Sequence, residues 1–206
     1  IINIVNENIL KKISNNEKNE NMPKSKNNVS EKKVNNLSIK NVCCPKCGQE
    51  IKNNKLKEHL QSNHITEIID KIFIGSYQNA KNYEELEKNN IKYILNCASE
   101  CKSLFEDKIK YLKLDIKDQN DFPIQEYFEK GIQFIQDSLN NNDGNILIHC
   151  MEGKSRSTTL LMAYLIKCQN ENTNSAYKIL KSKRQLTMPN LGFMYKLREF
   201  EKTINK

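Results

Sequence analysis

Two groups of side chains in this 206-residue chain have types and spacings that could do chemistry. The first is His149-Cys150-Met151-Glu152-Gly153-Lys154-Ser155-Arg156-Ser157, set between the apolar runs 146–148 and 160–166. A loop between a strand and a helix, with small residues and several backbone N–H groups turned inward, cradles a tetrahedral anion. Residues 151–156 form that expected cradle: Met151, Glu152, Gly153 (whose freedom allows the tight curvature), Lys154, Ser155 and Arg156. Cys150 would stand at the helix N-terminus, where the dipole and aligned N–H donors stabilise a thiolate and bring its pKa to about 3.5–7.5, making it a nucleophile at neutral pH. Arg156 can place a bidentate fork on two phosphate oxygens and follow their charge into a trigonal-bipyramidal transition state, which a lysine cannot match geometrically.

The second group opens with Cys43-Cys44-Pro45-Lys46-Cys47-Gly48. Cys44 and Cys47 have CxxC spacing; eleven residues intervene before His59 and four more before His64. Two thiolates at a knuckle and two imidazoles a helical turn apart complete a tetrahedron, and the pattern resembles a C2H2 zinc finger. Ile51 and Leu56 stand where such a finger keeps its small core, with a helix expected over 54–63. The Cys-to-His gap is one residue shorter than usual, and Cys43 is an alternative first ligand. So small a unit cannot fold by burial alone, so its metal, a structural zinc, would supply the folding energy.

The elements that must hold these groups alternate between strand and helix periodicity. Strands are expected at 72–75, 92–96, 111–116 and 145–149, and helices at 83–89, 124–139, 158–169, 173–183 and 192–204. That alternation implies an α/β domain with a mostly parallel central sheet flanked by helices, whose ligands bind beyond the carboxyl ends of the strands. His149-Cys150 is at such an end. Cys97 ends 92–96 as Cys150 ends 145–149, and neighbouring strands about 4.8 Å apart would bring the two within disulfide reach, roughly 4.4–6.8 Å between Cα atoms.

Composition narrows the class further. Seven cysteines without paired spacing, in a chain with no signal peptide or spanning run, indicate a reducing compartment, cytoplasmic or nuclear. The net charge of +8 does not mark one basic face: residues 1–41 hold 8 Lys against 4 Glu, whereas 71–206 hold 21 Lys and Arg against 17 acids. With 12 Asn and no aromatic residue, 1–41 is expected to be low-complexity and largely disordered. The organisation read from the chain is therefore 1–41, a finger over 42–67 and a catalytic domain over 68–206, with a fragment from residue 69 expected to keep its activity.

The sequence HCMEGKSRS matches the HCxxGxxRS signature of the dual-specificity phosphatases, within the protein tyrosine phosphatase superfamily. The resemblance extends over roughly 68–202, taking in Gly75, Ala80, Leu95-Asn96, Arg184 and 189–193. It implies a phosphotyrosine-phosphatase-like fold and a phosphocysteine intermediate on Cys150, with Arg156 holding the phosphoryl group. By the same resemblance Asp118 is the general acid, while Asp115 belongs to a strand and Asp121 caps the following helix. Ser157 would hydrogen-bond Cys150 and help it depart, and His149 would shape the loop from behind. The chain has no Trp, which the tyrosine-only branch uses on its acid loop, so a shallow pocket open to phosphotyrosine, phosphoserine and phosphothreonine in proteins is implied. No cofactor is implied for catalysis. Phosphoinositide or RNA substrates are the alternative within enzymes, and a binding protein whose finger recruits a protein or nucleic-acid partner is the alternative outside them.

Overall fold

The computed structural model describes residues 40–204, which fall in one compact unit. The reading of 1–41 as low-complexity and disordered lies, apart from its last two positions, outside the described residues.

A five-stranded sheet carries the site. β1 (Asn41–Cys43) and β2 (Glu50–Lys52) form a separate antiparallel hairpin, and the main sheet has the order β3-β4-β7-β5-β6. Here β3 is Thr66–Ile69, β4 Ile72–Gly75, β5 Ile91–Asn96, β6 Lys110–Lys113 and β7 Asn145–His149. Central β7 runs parallel to β4 and β5, with Gly75 and Asn96 both in register with His149. A parallel strand covered on both faces has to be apolar throughout, and Ile146, Leu147 and Ile148 are fully buried. The mostly parallel α/β architecture expected from periodicity is present.

Strand β3 was not expected, and it straddles residue 68, where the catalytic domain was placed to begin. It pairs antiparallel with β4, Thr66 opposite Ile74. Four residues, of which only Ile68 is buried, are too few for an alternation to show. A cut at residue 69 removes most of this edge strand, so the sheet gives no support to an intact fragment starting there.

Seven α-helices are found among the described residues: α1 (Leu56–Asn63), α2 (Tyr77–Ala80), α3 (Tyr83–Lys88), α4 (Phe128–Asn141), α5 (Arg156–Cys168), α6 (Thr173–Lys183) and α7 (Leu191–Ile204). Helix α5 packs against α4, α6, α7 and β7, which is why every side chain from Arg156 to Ile166 is buried. It begins two residues earlier than expected. Arg156 and Ser157 read as loop, yet they belong to the first turn, where Thr158 and Thr159 donate to the carbonyl of Ser155. The expected strand 111–116 keeps ladder pairing only to Lys113, after which Leu114 N still reaches Asn96 O at 2.8 Å. One-turn α2, capped by Ser76 and Asn79 in a reciprocal box, is too short for periodicity to reveal. The expected helices at 54 and 124 each open with a 3-10 turn, Asn53–Lys55 and Ile124–Tyr127.

Candidate active site

Cys150 lies one residue beyond β7, at the base of a loop that ends where α5 begins. The loop carbonyls face away from its hollow: Met151 O accepts from Tyr77 N, Gly153 O from Arg184 Nε and Lys154 O from Met188 N, at 3.0, 3.0 and 2.8 Å. Among the described residues, no N–H of 151–155 donates to a protein acceptor, which leaves a ring of donors around the thiol. Gly153 has φ +66, and a Cβ there would lie 2.4 Å from Gly75 O, so curvature and close approach both demand glycine. Glu152 and Lys154, which both line the cleft, pair with each other at 2.5 Å. Ser157 Oγ lies 3.4 Å from Cys150 Sγ, inside the buried first turn of α5.

Counting donors on Arg156 shows what it is free to bind. A guanidinium has five N–H groups. Nη1 gives its two to Glu100 Oε2 and Ile116 O, at 2.8 and 3.1 Å, and one side of Nη2 faces Glu100 Oε1 in an ion pair at 2.7 Å. The second Nη2–H and the Nε–H remain along one edge, and buried Nε has no hydrogen-bond partner. A fork suited to two phosphate oxygens is thus left open. The bond to Arg156 holds the Glu100 carboxyl below the usual range, against the effect of its partial burial.

Asp118 is brought to the same cleft. Its Oδ1 accepts from Ser155 Oγ and from Asn190 Nδ2, both at 2.8 Å, and its Oδ2 lies 3.6 Å from Arg156 Nε. Asp115 is solvent-exposed beside Lys113, and Asp121 is exposed and caps no helix, because the 3-10 turn that follows begins after Pro123 without a side-chain cap. The loop that carries Asp118 is pinned to α7: Gly192 N donates to Asn120 Oδ1 at 3.2 Å, Lys196 Nζ to Asn120 O at 3.1 Å, and a Cβ on Gly192 would sit 1.9 Å from Asn120 O. The cleft encloses about 640 Å³, with Met151, Met188 and Leu191 exposed at its rim.

His149 stacks on Tyr77 behind the loop, with Nδ1 3.4 Å from Cys150 O. Burial lowers its pKa to about 4, so it is neutral at pH 7. Cys97 N bonds His149 O at 2.8 Å, which places Cys97 beside Cys150 as strand register required; burial raises the Cys97 thiol pKa well above its ordinary value.

The Cys/His group also converges. The ligand atoms of Cys44, Cys47, His59 and His64 all lie within 4.8 Å of one another, and exposed Cys43 is outside the cluster. Cys44 Sγ is 3.5 Å from His64 Nε2, and Cys47 Sγ is 3.4 Å from His59 Nε2. Zinc bound to both in a tetrahedron sets S···N at about 3.5–3.6 Å, so the donor set fits that ion. The other ring nitrogen of His64 lies 3.0 Å from Glu85 Oε1 on α3, a carboxylate that orients the imidazole.

A family model described as the dual specificity phosphatase catalytic domain matches residues 72–203. The chain belongs to the dual specificity phosphatase family. Its resemblance to dual specificity protein phosphatase 6 of Homo sapiens is 36% identity over 146 residues, 70% of this chain but 38% of that protein. Dual specificity protein phosphatase 1B of Arabidopsis thaliana is 32% identical over 140 residues, 68% of this chain and 83% of that one. The chain thus spans well under half of the human relative and most of the plant one. The crystal structure of DUSP15 superposes with a TM-score of 0.63 at 31% identity, covering 68% of this chain and 88% of that one. The family match starts after the Cys/His cluster, which lies before residue 72.

Sequence reasoning gave no role to three residues that support this phosphatase site. Glu100 holds Arg156 from 56 positions away, Asn190 holds Asp118 from 72, and Arg184 reaches the loop at Gly153. The family resemblance drew attention to Arg184 and Asn190 as letters, without showing what they touch. Glu100 left no signal, being one acid among 25.

Proposed function

We propose that this chain is a cysteine-dependent phosphatase acting on phosphotyrosine, phosphoserine and phosphothreonine in proteins. The observation that carries the reading is the meeting of the Cys150 thiol, a ring of unused loop N–H groups and the open edge of Arg156 in one cleft. Cys150 Sγ attacks phosphorus, forming the S–P bond as the bond to the leaving oxygen breaks. Asp118 gives that oxygen its proton: with Oδ1 occupied by two donors, the proton resides on Oδ2, which faces the Arg156 edge. Water then attacks the phosphocysteine, its proton passes to Asp118, and sulfur departs with the Ser157 hydroxyl beside it. His149, neutral and stacked on Tyr77, holds the loop from behind.

The mouth of the cleft favours a protein side chain over an inositol lipid or an RNA 5′-triphosphate. Those ligands carry several phosphates and call for several cations. Here the one lysine of the loop, Lys154, is paired with Glu152, and Glu100 adds a further acid, while the rim is apolar. The Cys44, Cys47, His59 and His64 set is assigned to a structural zinc, which would hold α1 to the knuckle and take no part in the chemistry.

The test is hydrolysis of a small aryl phosphate and of phosphotyrosyl and phosphothreonyl peptides by the full chain and by Cys150→Ser, with zinc measured in the same samples. Both peptide classes should be hydrolysed by the parent, and Cys150→Ser should be inactive with about one zinc per chain retained. Activity of Cys150→Ser within tenfold of the parent would overturn the mechanism, and purified chain without zinc would overturn the metal assignment alone.

A further inference from the structure

Arg184 is fully buried, directly after α6, with acceptors from two parts of the molecule. Its Nε donates to Gly153 O in the phosphate loop at 3.0 Å. Its Nη1 donates to Gln61 O at 2.6 Å and to Thr66 Oγ1 at 2.9 Å, while Nη2 is buried without a partner. Gln61 O is one of the last four carbonyls of α1, which have no partner within the helix, and the dipole favours a cation there. The same short helix carries His59 and is followed at once by His64.

Little besides ligands holds α1 in place. In 42–64 the apolar residues Ile51, Leu56 and Leu60 are only partly buried, and the buried residues are Cys44 and the polar Gln61 and His64. On the other side, the loop apex is pressed against Arg184: a Cβ at Gly153 would lie 3.0 Å from Nη2. If the end of α1 moves, the guanidinium keeps its charge but loses an acceptor at a site where an unpaired cation is costly. It must then turn toward other acceptors, and its hold on Gly153 goes with it.

We propose that Arg184 is a positioning residue that couples the metal-bound Cys/His module to the phosphate loop, so that metal occupancy and oxyanion affinity rise and fall together. The proposal rests on the zinc assignment made above. Coupling between two sites is reciprocal: whatever factor the metal adds to oxyanion binding, the oxyanion adds to metal binding.

The experiment uses the full chain, zinc-loaded or stripped by dialysis against a chelator that is then removed, with tungstate as the tetrahedral oxyanion. Calorimetric titration should show tungstate binding about tenfold more weakly to the stripped parent, a size typical of coupled sites. In Arg184→Met the loaded protein should already bind weakly, and stripping should change its affinity less than twofold. Reciprocally, saturating tungstate should raise zinc affinity about tenfold, by equilibrium competition with a chromogenic chelator, in the parent and not in Arg184→Met. Should Arg184→Met not fold, Arg184→Lys serves, because an ammonium keeps the charge but cannot span both carbonyls in the guanidinium geometry. Equal tungstate affinity of loaded and stripped parent overturns the coupling and leaves the zinc assignment standing. So does an equal loss in parent and variant. If stripping unfolds the chain, the zinc competition decides: tungstate raising zinc affinity alike in parent and variant means linkage through global unfolding, and the proposal fails. A chain that binds no zinc removes the assignment and the proposal together.

Discussion

Cys150 and Cys44 are both buried thiols, 1% and 2% exposed, yet different forces put them there. Cys150 ends a strand whose Ile146, Leu147 and Ile148 are sealed by neighbouring strands and by α5, and nothing about its position depends on what the thiol binds. Cys44 sits in a module with almost no apolar interior, facing Cys47, His59 and His64. The contrast teaches where each region is vulnerable. Chemistry at the phosphate loop can be altered while the sheet stands, whereas at the Cys/His cluster the proposed metal ligation would itself be the packing.

The sharpest test of that contrast is Arg156→Lys. A lysine cannot reproduce the fork, so kcat should fall about 10²- to 10³-fold, as when a preorganised transition-state donor is lost. Zinc content should be unchanged, by steady-state kinetics and metal analysis on one preparation; loss of zinc would mean the regions are not separate in this sense. A smaller effect is expected from Glu85→Gln, which weakens the carboxylate that orients His64. Zinc affinity should drop about 10- to 100-fold in chelator competition, with kcat preserved when zinc is saturating. A fall in kcat at full occupancy would show that Glu85 acts on the catalytic side by a route other than the metal.

The smallest effect is a pH slope. Burial holds the His149 pKa at about 4, against about 6.5 when unfolded. Between those values the unfolded chain binds the extra proton, so stability is full above pH 6.5 and declines as pH falls towards 4, by up to about 3 kcal/mol. Urea unfolding at pH 7 and pH 4.5 should show a difference that shrinks in His149→Asn. An unchanged pH dependence in that variant would mean His149 is not held neutral by the fold.

How much of this the sequence disclosed depended on distance along the chain. Cys150, Gly153 and Arg156 were legible because their relation is local, six positions on one loop whose chemistry follows from spacing. The knuckle cysteines were legible for the same reason, although Cys43 and Cys44 could not be told apart until Val42 was seen paired with Ile51 and Cys44 turned inward. Asp118 was reachable only through family resemblance, since a lone aspartate in a polar loop has no pattern of its own. Glu100 and the edge strand β3 were silent, and Arg184 was visible only as a letter of the family resemblance. Their partners lie across the sheet or in another module, and only topology brings them together.

The docking of the Asp118 loop bears on time as well as geometry. With Gly192 flush against Asn120, and Ser155 and Asn190 already bonded to Asp118, the proposed proton donor is in place before any substrate arrives. The entropy of ordering that loop is then lost once, when the chain folds, and not afresh at every encounter. Turnover should accordingly show no separate loop-closing phase: after rapid mixing, release of the leaving group should begin without a lag, even in viscous solvent.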